Sequence, residues 1–131
     1  MSTAATPAVS PAVSPAATLG AIPAATPACP YYAVIFTSLR HERSGDGYGA
    51  MADVMVASAA RQPGFLGIES AREAVGITVS YWASLDAIAS WKRDSEHLLA
   101  QRLGRAGWYD CYKVRVCRVE RDYGFERPAA D

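Results

Sequence analysis

From Tyr31 onward the apolar residues switch between two spacings, and the switches mark six elements. Tyr31-Tyr-Ala-Val-Ile-Phe-Thr-Ser38 alternates and is rich in β-branched and aromatic residues, which predicts a strand with Tyr32, Val34, Phe36 and Ser38 on one face. His41 to Gly49 collects three glycines with charged and imidazole side chains and reads as a loop. From Tyr48 the residues Met51, Ala52, Met55 and Ala59 recur at helical spacing, until Gln62-Pro63-Gly64 stops the helix. Phe65 to Glu73 alternates again, and Ala74-Val75-Gly76 is short enough for a hairpin. In the strand that follows, Ile77, Val79 and Tyr81 face one way and Thr78, Ser80 and Trp82 the other. Ser84 as N-cap and Asp86 in the positive first turn open a second helix that no proline interrupts up to Gly104. Leu85, Ile88, Trp91, Ser95, Leu98, Leu99 and Arg102 form its broad stripe. Tyr112 to Glu120 gives the last strand, with Tyr112, Val114 and Val116 on one side and Trp108 and Tyr109 anchoring its entry.

The order is therefore β-α-β-β-α-β. That is the ferredoxin-like pattern of the α+β class: a four-stranded antiparallel sheet with two helices on one face. Helices on one side leave the other side of the sheet with apolar residues to cover, and two such sheets packed face to face would bury them. A homodimer is expected.

Composition divides the chain. Residues 1–30 contain six of the eight prolines and no charge, and are otherwise mainly Ala, Ser and Thr. Such side chains bury too little surface to offset a backbone ordering cost of about 1–2 kcal/mol per residue, so a disordered extension is expected there. A domain at 31–123 and a tail at 124–131 complete the expected division. All thirteen Lys/Arg and all thirteen Asp/Glu lie beyond residue 30. This balance argues against a nucleic-acid partner, which needs a net basic face. No apolar run approaches the roughly 20 residues of a membrane span. Cys29, Cys111 and Cys117 show no metal-ligand spacing and read as reduced thiols of a cytoplasmic protein.

Three stretches carry a resemblance to a known family: Gln62-Pro-Gly-Phe-Leu-Gly67, Ile77-Thr-Val-Ser-Tyr-Trp82 with Ser84, and Ala89-Ser-Trp-Lys92 followed by Glu96-His97. In order and spacing the chain resembles the antibiotic biosynthesis monooxygenase (ABM) domains of the dimeric α/β-barrel superfamily, over roughly residues 31–123. The resemblance implies dimerisation through the sheets and a ligand cleft between sheet and helices in each protomer. It also implies one of two chemistries: oxygenation of aromatic polyketides without metal or flavin, or haem degradation.

The haem-degrading branch uses an Asn on the first strand, a Trp on the second helix and an axial His further along that helix. Trp91 matches the Trp, but Ser38 stands near the Asn position and Gln101 at the His position, and an amide is a poor ligand for haem iron. His97 sits at another angle around the helix. Cofactor-free oxygenation asks only for an aromatic-lined cleft, a donor that holds a phenolate, and a proton acceptor or water. For that chemistry the candidates are Trp91, Gln101 and Ser38, with Phe36, Tyr81, Trp82, His97 and Arg115 around a small aromatic or quinol substrate. Neither a cofactor nor a metal is expected. Each candidate also has a plainer role: Trp91 as core packing, Arg115 as a solubilising charge on an edge strand, and His97 as a solvated side chain. Two functions stay open, a cofactor-independent monooxygenase and a non-catalytic dimer that binds a small ligand.

Overall fold

The computed structural model describes residues 22–41, 47–103 and 108–129, with residues 98–103 described by their backbone alone. Six elements follow in the expected order: β1 (Tyr31–Arg40), α1 (Tyr48–Ala60), β2 (Phe65–Arg72), β3 (Gly76–Trp82), α2 (Leu85–Leu103) and β4 (Tyr109–Val119). The strands form one antiparallel sheet in the order β2-β3-β1-β4. This is the ferredoxin-like α+β arrangement with both helices on one face.

Local chemistry explains the boundaries. Gly47, with φ 80°, opens α1, and its carbonyl accepts from Met51 N at 3.0 Å. The helix ends before Gln62-Pro63-Gly64, where Gly64 adopts φ 89°. A Cβ at Gly64 would lie 2.7 Å from Ala87 Cβ, so glycine serves both the left-handed backbone and the close approach of α2. The Gly64 carbonyl accepts from Ala83 N at 2.8 Å, which ties the start of β2 to the end of β3. Ser84 caps α2 as expected: its Oγ accepts from Ala87 N at 3.0 Å.

Two boundaries move. The last strand begins at Tyr109, three residues before the expected start, and β1 runs on to Arg40. The two extra ends pair with one another across a register irregularity at Leu39/Arg40. Leu85, expected in the buried stripe of α2, is 54% exposed, because it belongs to the first turn, where α2 has only just left the sheet. Ile88, Trp91 and Ser95 of the same stripe are partly buried.

Register assigns every strand residue to a face. Tyr32, Val34, Phe36 and Ser38 share theirs with Trp82, Ser80, Thr78 and Gly76 of β3, and with Arg118, Val116, Val114 and Tyr112 of β4. The Trp82 ring packs at 6.3 Å from that of Trp91 on α2, so this is the helix face. The opposite face carries Tyr31, Ala33, Ile35, Val79, Tyr81, Arg115 and Cys117. Residues 22–30 of the N-terminal extension run beside one end of that opposite face. Ala24 N donates to Glu69 Oε2 at 2.7 Å, and the Thr26 hydroxyl donates to the Tyr31 hydroxyl at 3.1 Å. Tyr31 in turn donates to Asp122, just beyond β4, while Tyr81 donates to Glu69 Oε1 at 2.7 Å. Residues 1–21 and 130–131 lie outside the described residues.

The Gly64 junction predicts a divided cost. Gly64→Ala should lower unfolding stability by about 1–3 kcal/mol, the sum of a left-handed backbone penalty and the overlap with Ala87. Urea denaturation of Gly64→Ala in an Ala87→Gly background should recover the steric share; a full loss in both backgrounds would assign the whole cost to the backbone.

Candidate functional site

On the helix face, cross-strand pairing sets side chains in four rows, spaced about 7 Å apart by two strand residues. The first holds Arg72, Gly76, Ser38 and Tyr112; the second Ser70, Thr78, Phe36 and Val114. Ile68, Ser80, Val34 and Val116 make the third, and Phe65, Trp82, Tyr32 and Arg118 the fourth. The helices approach the sheet over β2 and β3. Trp82 is accordingly 0% exposed, whereas Val114 and Val116 on β4 remain 47% and 51% exposed. Val114 and Val116 thus lie on the helix side of β4, the edge strand, and stay half open to solvent.

At its β2–β3 end the fourth row is core. Trp82 lies between Phe65 at 5.4 Å and Trp91 at 6.3 Å, and its Nε1–H donates to Ser80 Oγ at 2.9 Å, which satisfies its one buried donor.

The first two rows are different. Phe36 stacks on Tyr112 at 5.2 Å and meets Tyr109 edge-on at 5.3 Å. Tyr48 of α1 adds edge contacts to Tyr109 at 5.7 Å and to Trp108 at 5.6 Å, and the Arg40 guanidinium carbon sits 3.8 Å from the centre of the Tyr48 ring. Tyr109 and Tyr112 have opposite parity along the chain; the irregularity opposite Leu39/Arg40 is what turns both toward Phe36. The Tyr109 hydroxyl donates to that of Tyr48 at 3.2 Å. Burial, and next this hydrogen bond, push its pKa well above the usual phenol value, while Arg72 and Arg40 pull weakly the other way.

Arg72 reaches this cluster from the far side of the sheet. Its side chain lies over Gly76, where a Cβ would overlap the guanidinium, and its Nη2 donates to the hydroxyl of Ser38, itself 2% exposed.

Phe36, Ser38, Trp82 and Trp91 thus share the helix face, as the candidate reading requires. Tyr81 and Arg115 do not: Tyr81 pairs with Ala33 and Arg115 with Ile35, on the opposite face. Alternation within a strand was readable in the sequence, but the phase between strands is set by register. His97 is exposed on α2, and the side chain of Gln101 lies outside the described residues. Arg72, Tyr48, Tyr109 and Tyr112 are the residues that sequence reasoning did not place in the site. A glycine opposite an arginine across a short hairpin was the available signal for Arg72. Among the described residues, no three His, Cys, Asp or Glu side chains gather as a metal set.

This combination defines a class: an ABM-like fold, with the helix side of its edge strand β4 left open. Solved structures of that fold resemble the chain at low sequence identity. SnoaB, a cofactor-independent oxygenase from Streptomyces nogalater, gives in a point-mutant form a TM-score of 0.56 at 18% identity, covering 70% of this chain and 95% of that one. MhuD, as a mutant with two manganese protoporphyrin IX bound per active site, gives 0.53 at 18% identity over 71% and 99%. Rv0793 from Mycobacterium tuberculosis gives 0.54 at 16% identity over 73% and 99%. No family model matches the sequence. The chain belongs to the family of the uncharacterized protein YqjZ of Bacillus subtilis strain 168, to which it is 53% identical over 104 residues, 78% of this chain and 90% of YqjZ.

Burial raises Tyr109, Tyr81 and Tyr31 alike, with Glu69 as hydrogen-bond partner for Tyr81 and Asp122 for Tyr31. A phenol with a raised folded pKa contributes its full stability below the unfolded value of about 10 and loses it as pH rises through the folded value. The melting temperature should therefore fall above about pH 10. In an absorbance titration, Tyr109, Tyr81 and Tyr31 should ionise later than a free phenol, and Tyr109→Phe should remove one tyrosine from the late phase.

Proposed function

We propose that the chain is a cofactor-independent monooxygenase that oxidises a small aromatic or quinol substrate in the cleft between the sheet and the two helices. The single observation that carries this reading is the half-open floor of Val114 and Val116 beside the Phe36, Tyr109 and Tyr112 rings, with Trp91 on the helix side. SnoaB, which shares the fold, supports the chemistry. In such a reaction the phenol loses a proton and the anion passes one electron to O2. The radical pair recombines to a hydroperoxide, and loss of water leaves a carbonyl on the ring. The protein's part is to hold the ring away from bulk water and stabilise the anion.

One observation favours a second reading, a non-catalytic ligand-binding dimer. The four rows of the helix face contain no carboxylate and no imidazole, so the sheet offers no general base at neutral pH. An oxygenase built this way depends on substrates that ionise readily, with water taking the proton. Haem is set aside as substrate because Gln101 occupies the position of the axial ligand.

Oxygen uptake with a panel of hydroquinones and anthrones separates the two readings. The oxygenase should consume O2 in step with product, and Trp91→Phe should lower kcat/KM severalfold while the protein stays folded. Ligand-dependent quenching of tryptophan fluorescence with no oxygen uptake across the panel would leave the binding role.

The opposite face, with Ile35, Val79 and a largely exposed Ile77, is the surface for a second copy of the chain. Sedimentation at micromolar concentration should give a dimer, and Ile77→Arg should shift it toward monomer; a folded monomer in the parent would refute the arrangement.

A further inference from the structure

The cleft has a charged end. Arg72 starts two strands from Phe36, but its guanidinium lies over Gly76 and reaches Ser38, whose position is one row, about 7 Å, along β1 from Phe36, close enough for a ring resting on Phe36 and Val114 to bring a substituent to the guanidinium. Arg72 is held rather than free: Gly76 leaves it room to lie across β3, and Ser38 accepts from one Nη2–H, which leaves the rest of the N–H fork for another acceptor. Among the described residues no carboxylate lies within ion-pair distance of it. A second guanidinium, that of Arg40, stands over Tyr48 in the same cluster. Both act electrostatically on the Tyr109 hydroxyl, so both charges are felt at one place beside the rings.

We infer that Arg72, positioned by Ser38 across Gly76, is the subsite for an anionic oxygen on the aromatic ligand, so that the cleft selects aromatic acids and ionised phenols over neutral rings of the same size. The inference rests on the cleft reading given above and narrows its substrate class. Guanidinium suits both anions because its planar fork gives charge-assisted bonds to two oxygens or to one. Among the described residues, an anion placed here faces Arg72 from β2, Ser38 and Arg40 from β1, Tyr48 from α1, and Tyr109 and Tyr112 from β4.

The test is fluorescence-monitored binding of matched pairs to the full chain at pH 7: 2-naphthoate against 2-naphthamide for a carboxylate, and 2,4-dinitro-1-naphtholate against its methyl ether for an ionised phenol. In the parent at least one anion should bind tenfold or more tighter than its neutral partner, and the pair that does so says which anion the subsite takes. Arg72→Gln should reduce that preference to less than twofold while leaving the affinity of the neutral compound unchanged. Arg72→Lys should retain a part of it, and should serve in place of Arg72→Gln if the latter does not fold. Equal binding of anions and neutral partners by the parent would overturn the subsite and leave the cleft standing. Binding of none of the four would overturn the cleft and the subsite together, and an anion preference undiminished in both variants would move the subsite away from Arg72.

Discussion

Two helices cannot cover one face of a four-stranded sheet evenly when both settle over the same pair of strands. In this chain they settle over β2 and β3, because Gly64 lets α2 start against the turn before β2, where an added side-chain carbon would overlap Ala87 Cβ at 2.7 Å. Trp82 and Trp91 then fill the closed half. The outer strand β4 keeps its helix-side residues in contact with water, and 61% of Tyr112 stays accessible. The proposed cleft is thus the remainder of a packing problem solved elsewhere. Its apolar floor costs exposed surface that a purely structural sheet would replace with polar side chains.

Most of the architecture was written locally. The Ser84 cap, the Pro63-Gly64 stop and the alternation of four strands each depend on residues within a turn or two of one another, and all appear where their chemistry requires. The site was less legible, because it depends on which residues of different strands stand side by side. Phe36, Ser38 and Trp82 came out on one face because their strands pair without a shift across Val34↔Ser80. Alternation alone sets Tyr81 against Trp82, and Arg115 against Val114 and Val116; register then decides that Tyr81 and Arg115 are the ones on the far face. Tyr109 was hidden for a further reason: a strict period of two puts it opposite Tyr112, and only the irregularity at Leu39/Arg40 reunites them.

The far face has its own polar order. Two phenols there each meet a carboxylate, Tyr31 with Asp122 and Tyr81 with Glu69, and their rings lie edge to face at 6.0 Å. These bonds draw the segment before β1 and the segment after β4 to the same end of the sheet. A neutral donor suits this place: it satisfies a carboxylate without adding a second charge that would have to be desolvated. The remaining stretch, around Ile35, Val79 and Ile77, is where apolar area is left over.

The Arg72–Ser38 contact spans two strand spacings and depends on a turn of three residues, Glu73 to Val75, which contributes nothing to the core. An insertion in that turn would carry the guanidinium off Ser38 while every buried ring kept its neighbours. With the proposed subsite at Arg72, ligand preference would be free to drift through changes of loop length alone, so that two chains alike at every cleft-lining position but different in the β2–β3 turn would act as different receptors.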